Sequence, residues 1–142
     1  MTGDNVLDIR GLNVEFSTER GVIKALRDVD LEVPNGSIVG VVGESGCGKS
    51  TMINSIIGLL AHNAAVRSGA IRFEGADLLK KSNRELRDIR GTRISMVFQD
   101  PMTTLNPVLS IGTQMTDIQY RDPVSMDKKK QRSVEMLRRV GI

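Results

Sequence analysis

The residues best suited to chemistry lie together: Gly43-Glu44-Ser45-Gly46-Cys47-Gly48-Lys49-Ser50 fits the spacing G-x-x-x-x-G-K-[ST] at every fixed position. Glycines let a backbone wrap closely around an anion, because a Cβ there would collide or forbid the required dihedrals. Successive N–H groups then point inward as an anion nest, and a helix opening near Gly48 adds its positive end. Lys49 supplies a mobile charge for the outer phosphates of a polyphosphate, and the Ser50 hydroxyl is a hard oxygen ligand for Mg²⁺. Thr51, next in the chain, is placed to hydrogen-bond the innermost phosphate. The chemistry implied is the binding of a nucleoside triphosphate with its magnesium ion.

Cys47 sits inside this loop, near a helix N-terminus and a lysine, both of which favour the thiolate. The simpler reading is a small residue whose backbone alone matters. As the single cysteine it cannot form an internal disulfide, which fits a reducing compartment.

Strand and helix patterns surround the loop. Residues 38–42, Ile-Val-Gly-Val-Val, form a continuous apolar run without alternation, as in a strand buried on both faces of a parallel sheet. After the loop, a helix is expected from Lys49 to about Leu60, because Met52, Ile53, Ile56, Ile57 and Leu60 recur at helical spacing. Upstream, residues 7–10 and 12–16 alternate apolar and polar, and 22–26 and 29–33 read as two further strands before the Pro34-Asn35-Gly36 turn. This opening predicts an antiparallel sheet. Residues 69–73 read as a return strand ending at Glu74-Gly75. Residues 82–90 read as a short helix, with Ser82 and Glu85 spaced as a capping box. A β-rich segment at 94–98 is broken by Asp100-Pro101, and helices are expected over 111–120 and 127–140. On the last, Val134, Leu137 and Val140 share a face, and the Lys128-Lys129-Lys130 and Arg138-Arg139 runs read as solvated surface.

The bulk properties of the 142 residues suit one soluble domain with an aliphatic core, since the hydrophobic fraction is 39% and there is no Trp. No apolar stretch approaches the roughly 20 residues needed to span a bilayer, and the N-terminal residues lack a signal-peptide layout. The expected place is therefore the cytosol or the periphery of something cytosolic. A net charge of +3 with a pI near 9.3 is a small excess, and its 17 acids are interspersed, so no nucleic-acid partner is expected.

A second motif narrows the reading. Residues 94–107, Ile-Ser-Met-Val-Phe-Gln-Asp-Pro-Met-Thr-Thr-Leu-Asn-Pro, deliver Gln99 into a proline-bounded loop. This resembles the Q-loop of ABC ATPases, and its Phe-Gln-Asp-Pro-Met-Thr-Thr-Leu-Asn-Pro form, followed by Ile111-Gly112, resembles the dipeptide/oligopeptide importer branch. Gly43-Glu44-Ser45-Gly46, Gly58-Leu59-Leu60 and the final Met136-Leu137-Arg138-Arg139-Val140-Gly141-Ile142 are similar to that branch too, so the likeness runs essentially end to end. It implies an α/β fold: a P-loop NTPase (ABC ATPase) core with an N-terminal antiparallel β-subdomain. The β part would comprise 1–36 and 69–81, the P-loop strand and helix 37–61, the stretch to the Q-loop 82–107, and the start of a helical subdomain 108–142.

The resemblance also implies roles. Gln99 would reach Mg²⁺ and the attacking water, joining Lys49 as a catalytic residue, while Ser50 and Gln99 would share the metal. ATP would be held by Gly43, Ser45, Gly46, Cys47, Gly48, Lys49, Ser50 and Thr51. Phe16 matches the family's adenine-stacking aromatic, with a core phenylalanine as the competing reading. His62 does not match the family's switch histidine and reads as a surface residue. The implied partners are transmembrane permease subunits, met through the Q-loop region, and a second ATP-binding subunit. The implied site is the cytoplasmic side of the cell membrane, with no direct contact with the transported solute, whether dipeptide, longer peptide, nickel or glutathione.

Three family features do not occur before Ile142: the LSGGQ-type signature, the Walker B strand ending in Asp-Glu, and the switch histidine. The expectation is a chain truncated before the signature motif. It would bind nucleotide weakly, turn over negligible ATP and self-associate through unpaired core strands. Two other classes share the phosphate loop. A non-transport ABC protein acting on DNA or ribosomes would lack the continuation at 102–107. A small-molecule kinase would carry an arginine-rich lid and no Phe-Gln-Asp-Pro segment.

Overall fold

The computed structural model describes residues 5–99 and 105–142, which fall into two compact units, 1–95 and 96–142. In the first unit, β1 (Asn5–Thr18) and β2 (Gly21–Pro34) form a long antiparallel hairpin. β3 (Ala64–Phe73) pairs with the other edge of β1, and the short β4 (Ala76–Asp77) pairs with β3, giving the order β2-β1-β3-β4. The antiparallel sheet is as expected, but it is built from fewer, longer strands. Residues 22–33 form one strand, because a bulge at Asp28 (φ +51°), whose N–H donates to Asn13 Oδ1 at 3.1 Å, carries the chain through the apparent break. The return strand also begins earlier than expected, at Ala64.

The core follows from the irregularity of β1. Strict alternation would send Ile9 and Leu12 to opposite faces. The register shift between them lets both turn inward, and Ile9, Leu12 and Val14 are each fully buried with Ile71 of β3. At the shift, Gly69 (φ +102°) lets β3 approach closely: a Cβ there would stand 2.5 Å from the Gly11 carbonyl oxygen. Leu26 of β2, Leu78 and Met52 complete the cluster.

Met52 comes from α1 (Lys49–Ile56), which opens at Lys49 as expected and ends short of Leu60; Ile57 is its C-cap. Gly58, at φ +64°, stops it there. Helix α2 (Asn83–Ile89) carries the expected capping box: Ser82 Oγ accepts from the Glu85 N–H, and Glu85 Oε2 accepts from the Ser82 N–H at 2.8 Å.

Two expected strands do not form. Residues 38–42 are irregular and pair with no strand among the described residues; Ile38 is 102% and Val42 93% exposed. Residues 94–98 make only an isolated bridge, Arg90 to Ile94, and Val97 is 95% exposed. An apolar run reports how a strand is buried between neighbours, but a ladder needs a partner strand, and among the described residues neither segment has one.

In the second unit, α3 (Ile111–Asp117) is shorter than expected, while α4 (Met126–Arg139) nearly matches its expected span. Ser110 and Ser125 cap their N-termini, and Gln119 Nε2 bonds Ser133 Oγ at 3.1 Å and the Lys129 carbonyl at 3.2 Å, tying α4 to the end of α3. Residues 100–104, including the Asp100-Pro101 break, lie outside the described residues. Among the described residues no helix is long and apolar enough to cross a membrane.

Candidate nucleotide site

The glycine loop is irregular backbone that delivers the chain directly into α1. Gly48 is the helix N-cap at φ +100°, a conformation open to glycine at little cost. A Cβ at this position would stand 2.7 Å from Leu26 Cδ2 and 2.9 Å from the Ala25 carbonyl oxygen. The loop therefore rests on β2 where it turns into the helix. From α1, Met52 packs into the core cluster on the sheet, and the buried Ser55 donates its hydroxyl to the Thr51 carbonyl of the same helix at 2.7 Å.

Lys49 folds back over the loop that precedes it. Its Nζ donates to the carbonyl oxygens of Gly43 at 2.8 Å and Glu44 at 2.7 Å, and lies 3.5 Å from Cys47 Sγ. These carbonyls orient the ammonium without neutralising it, so its charge remains to act on an anion held by the loop. Ser45, Gly46, Cys47 and Ser50 are exposed, and Thr51 is half-buried in the first turn of α1. The residues present fit a phosphate chain: N–H groups of a glycine loop, the positive end of a helix, a lysine and a hydroxyl lie within one stretch of backbone. Among the described residues no cluster of three or more His, Cys, Asp or Glu is placed to hold a metal. A cation here would rest on the Ser50 hydroxyl and on phosphate oxygens, as Mg²⁺ does when it arrives with a nucleotide.

The other candidates lie apart in sequence. Phe16 is half-buried on β1, opposite Ile23 of β2 and Ala64 of β3, and packs against the core cluster. Gln99 is an exposed residue of the second unit. His62 is exposed, as expected of a surface residue. Ala25 and Leu26 are contacts that sequence reasoning missed: their apolar pattern marks them as strand residues, and nothing local says which loop they meet.

The sequence pattern of the ABC transporter family matches residues 26–142. A dipeptide transport ATP-binding protein of Bacillus subtilis is 44% identical over 98% of this chain and 42% of its own length. A probable peptide ABC transporter ATP-binding protein of Sinorhizobium fredii is 43% identical, with the same two coverages of 98% and 42%. The chain thus spans about two fifths of the length of the curated relatives it matches, corresponding to their N-terminal part. Among solved structures, a bacterial ABC transporter cassette in dimeric form matches with a TM-score of 0.80 at 27% identity, over 93% of this chain and 56% of that one. The glycine loop opening α1, the antiparallel sheet beneath it and these matches lead to one assignment: the chain belongs to the ABC transporter family.

Proposed function

We propose that this chain is the ATP-binding front portion of a peptide importer's motor subunit, coupling ATP binding and hydrolysis to uptake of dipeptides or oligopeptides. The observation that carries the nucleotide reading is the Lys49 ammonium folded onto the Gly43 and Glu44 carbonyls at the mouth of α1. Gly43, Ser45, Gly46, Cys47 and Gly48 supply the backbone cradle, Lys49 steadies the β- and γ-phosphates, and Thr51 takes the α-phosphate. Mg²⁺, arriving with ATP, would rest on Ser50 and reach Gln99, supplying charge neutralisation at the phosphates. Gln99, a neutral amide, would orient water without adding charge, and Phe16 would stack on the adenine.

The transport reading rests on relatives named for dipeptide and peptide transport. By it, the partners are permease subunits, met through the Q-loop region, and a second ATP-binding subunit. The protein acts at the cytoplasmic face of the cell membrane and never touches the solute; related small solutes such as nickel or glutathione belong to the same reading. The 142-residue chain by itself binds nucleotide without efficient turnover, because the signature motif and the Asp-Glu strand do not occur within it.

Titrating the purified chain with a fluorescent ATP analogue and Mg²⁺ tests this. Saturable binding abolished by Lys49→Ala is expected, with no steady-state phosphate release. Unchanged binding in Lys49→Ala would overturn the nucleotide site, and steady-state hydrolysis lost in that variant would overturn the inactivity of the isolated chain.

A further inference from the structure

The C-terminal end of α1 is held by a side chain distant in sequence. Arg90, the C-cap residue of α2, is half-buried, and its guanidinium spans two consecutive carbonyls just past the end of α1. Nε donates to the Ile57 oxygen at 2.7 Å and Nη2 to the Gly58 oxygen at 2.9 Å. The fit is close: a Cβ at Gly58 would stand 2.8 Å from Arg90 Nη2 and 3.0 Å from Leu86 Cδ1.

Three physical points give this clamp a consequence at the other end of the helix. An isolated helix of eight residues has too few hydrogen bonds to hold itself, so its direction is set by what anchors it. The carbonyls left open at a helix C-terminus carry partial negative charge, and a cation there is favourable. A guanidinium also presents its donors in a rigid planar fork, fixing two carbonyls at once, whereas a lysine ammonium is a single mobile point charge. Gly48 is seated on Leu26 and Ala25 at one end of α1, and Arg90 fixes the other. Between them lie about 12 Å of helix whose first turn carries Lys49, Ser50 and Thr51.

We propose that Arg90 is a positioning residue of the nucleotide site: by clamping the C-terminal carbonyls of α1 it fixes the direction in which the helix presents Lys49, Ser50 and Thr51 to the phosphates. The inference rests on the nucleotide reading above and assigns a residue outside the phosphate loop to the same site. Arg90 also starts the segment that leads toward Gln99: the Gly91 N–H donates to the Ile94 carbonyl at 2.9 Å, closing the turn directly after the clamp.

The test compares the 142-residue chain with its Arg90→Ala, Arg90→Lys, Arg67→Ala and Lys49→Ala variants. Arg67 supplies a control, because it makes an ordinary strand ion pair with Glu15 at 3.0 Å. The Kd of a fluorescent ATP analogue with Mg²⁺ is measured where circular dichroism shows each variant fully folded. A residue that only supports the fold would lower the unfolding midpoint and leave the Kd of the folded protein unchanged. The expected result is a Kd raised about tenfold in Arg90→Ala, the scale of a lost charge-assisted hydrogen bond, and less in Arg90→Lys. Arg67→Ala should keep the native Kd. Methylguanidinium at tens of millimolar should restore most of the affinity of Arg90→Ala, while the same concentration of sodium should not. A folded Arg90→Ala with the native Kd overturns the inference, and if that variant does not fold, a native Kd in Arg90→Lys does so. Loss of binding in Lys49→Ala alongside native binding in Arg90→Ala defeats the clamp and leaves the nucleotide reading standing. No binding by the native chain defeats both.

Discussion

Leu26 Cδ2 lies 2.7 Å from the point a Cβ on Gly48 would occupy, so β2 and the mouth of the phosphate loop are in direct contact through a missing side chain. Gly48→Ala meets this contact, the Ala25 carbonyl and an unfavourable φ of +100° together. The Leu26 methyl can shift, whereas the Ala25 carbonyl is backbone of β2, at the register shift between Lys24 and Leu26, and gives way less cheaply. The expected cost is about 1–3 kcal/mol of stability, the range for a non-glycine residue held in such a conformation. A urea titration followed by circular dichroism should show the midpoint fall, with nucleotide affinity lost as well. A variant with native stability and native affinity would mean the loop does not rest on β2.

Cys47 is exposed and its sulfur lies 3.5 Å from Lys49 Nζ. Alkylation with N-ethylmaleimide would place a bulky group in the loop beside the lysine that is to meet the phosphates. Because there is one cysteine in the chain, the adduct can be counted by the mass of the intact protein. Full modification is expected to abolish nucleotide binding, and Mg-ATP is expected to slow the modification. Unchanged affinity after complete labelling would show that the thiol lies outside the path of the nucleotide.

The phosphate loop was legible because each fixed residue has its own chemical reason to be there, and those reasons are local. The same is true of the Ser82–Glu85 capping box, which needs only two residues three apart. The strands at 38–42 and 94–98 misread because their apolar pattern describes burial between neighbours and says nothing about whether neighbours are present. The single strand over Gly21–Pro34 was hidden by Asp28, whose bulge is stabilised by Asn13, a residue of another strand. The Leu26–Gly48 contact and the Arg90 clamp were illegible for the same reason: each joins segments that only the folded sheet and helices bring together. Phe16 was left between two readings, and its packing against the core accounts for its place on β1 whether or not a base also meets it.

Glu85 accepts hydrogen bonds from the Ser82 hydroxyl and the Ser82 N–H, and these hold its carboxyl below the usual glutamate range. A carboxyl depressed on folding stabilises the protein above its unfolded value, and that contribution is lost as pH falls through the folded value. The capping box should therefore be intact at neutral pH and weaken only below the ordinary glutamate range. An NMR titration of the Glu85 side chain should give a lower midpoint in the native chain than in Ser82→Ala. That substitution should also cost about 1 kcal/mol at neutral pH through the lost helix cap. Equal midpoints in the two proteins would show that the box does not form in solution.

Ile38 and Val42 present their full side chains to water within a run whose backbone pairs with no strand among the described residues. Such a segment joins exposed apolar surface to N–H and C=O groups outside any strand ladder, the combination that draws a second strand from another chain. The 142-residue protein is therefore expected to self-associate reversibly as its concentration rises. Sedimentation velocity over a hundredfold concentration range should show a growing share of dimer and larger species. Ile38→Lys combined with Val42→Lys should reduce that share strongly, because two like charges would have to be brought together in a paired strand. Circular dichroism should change little, since neither residue belongs to the core cluster around Ile9 and Ile71. Association at the native level in the double variant would move the contact elsewhere, and a strictly monomeric native chain would show that this run finds cover within its own molecule.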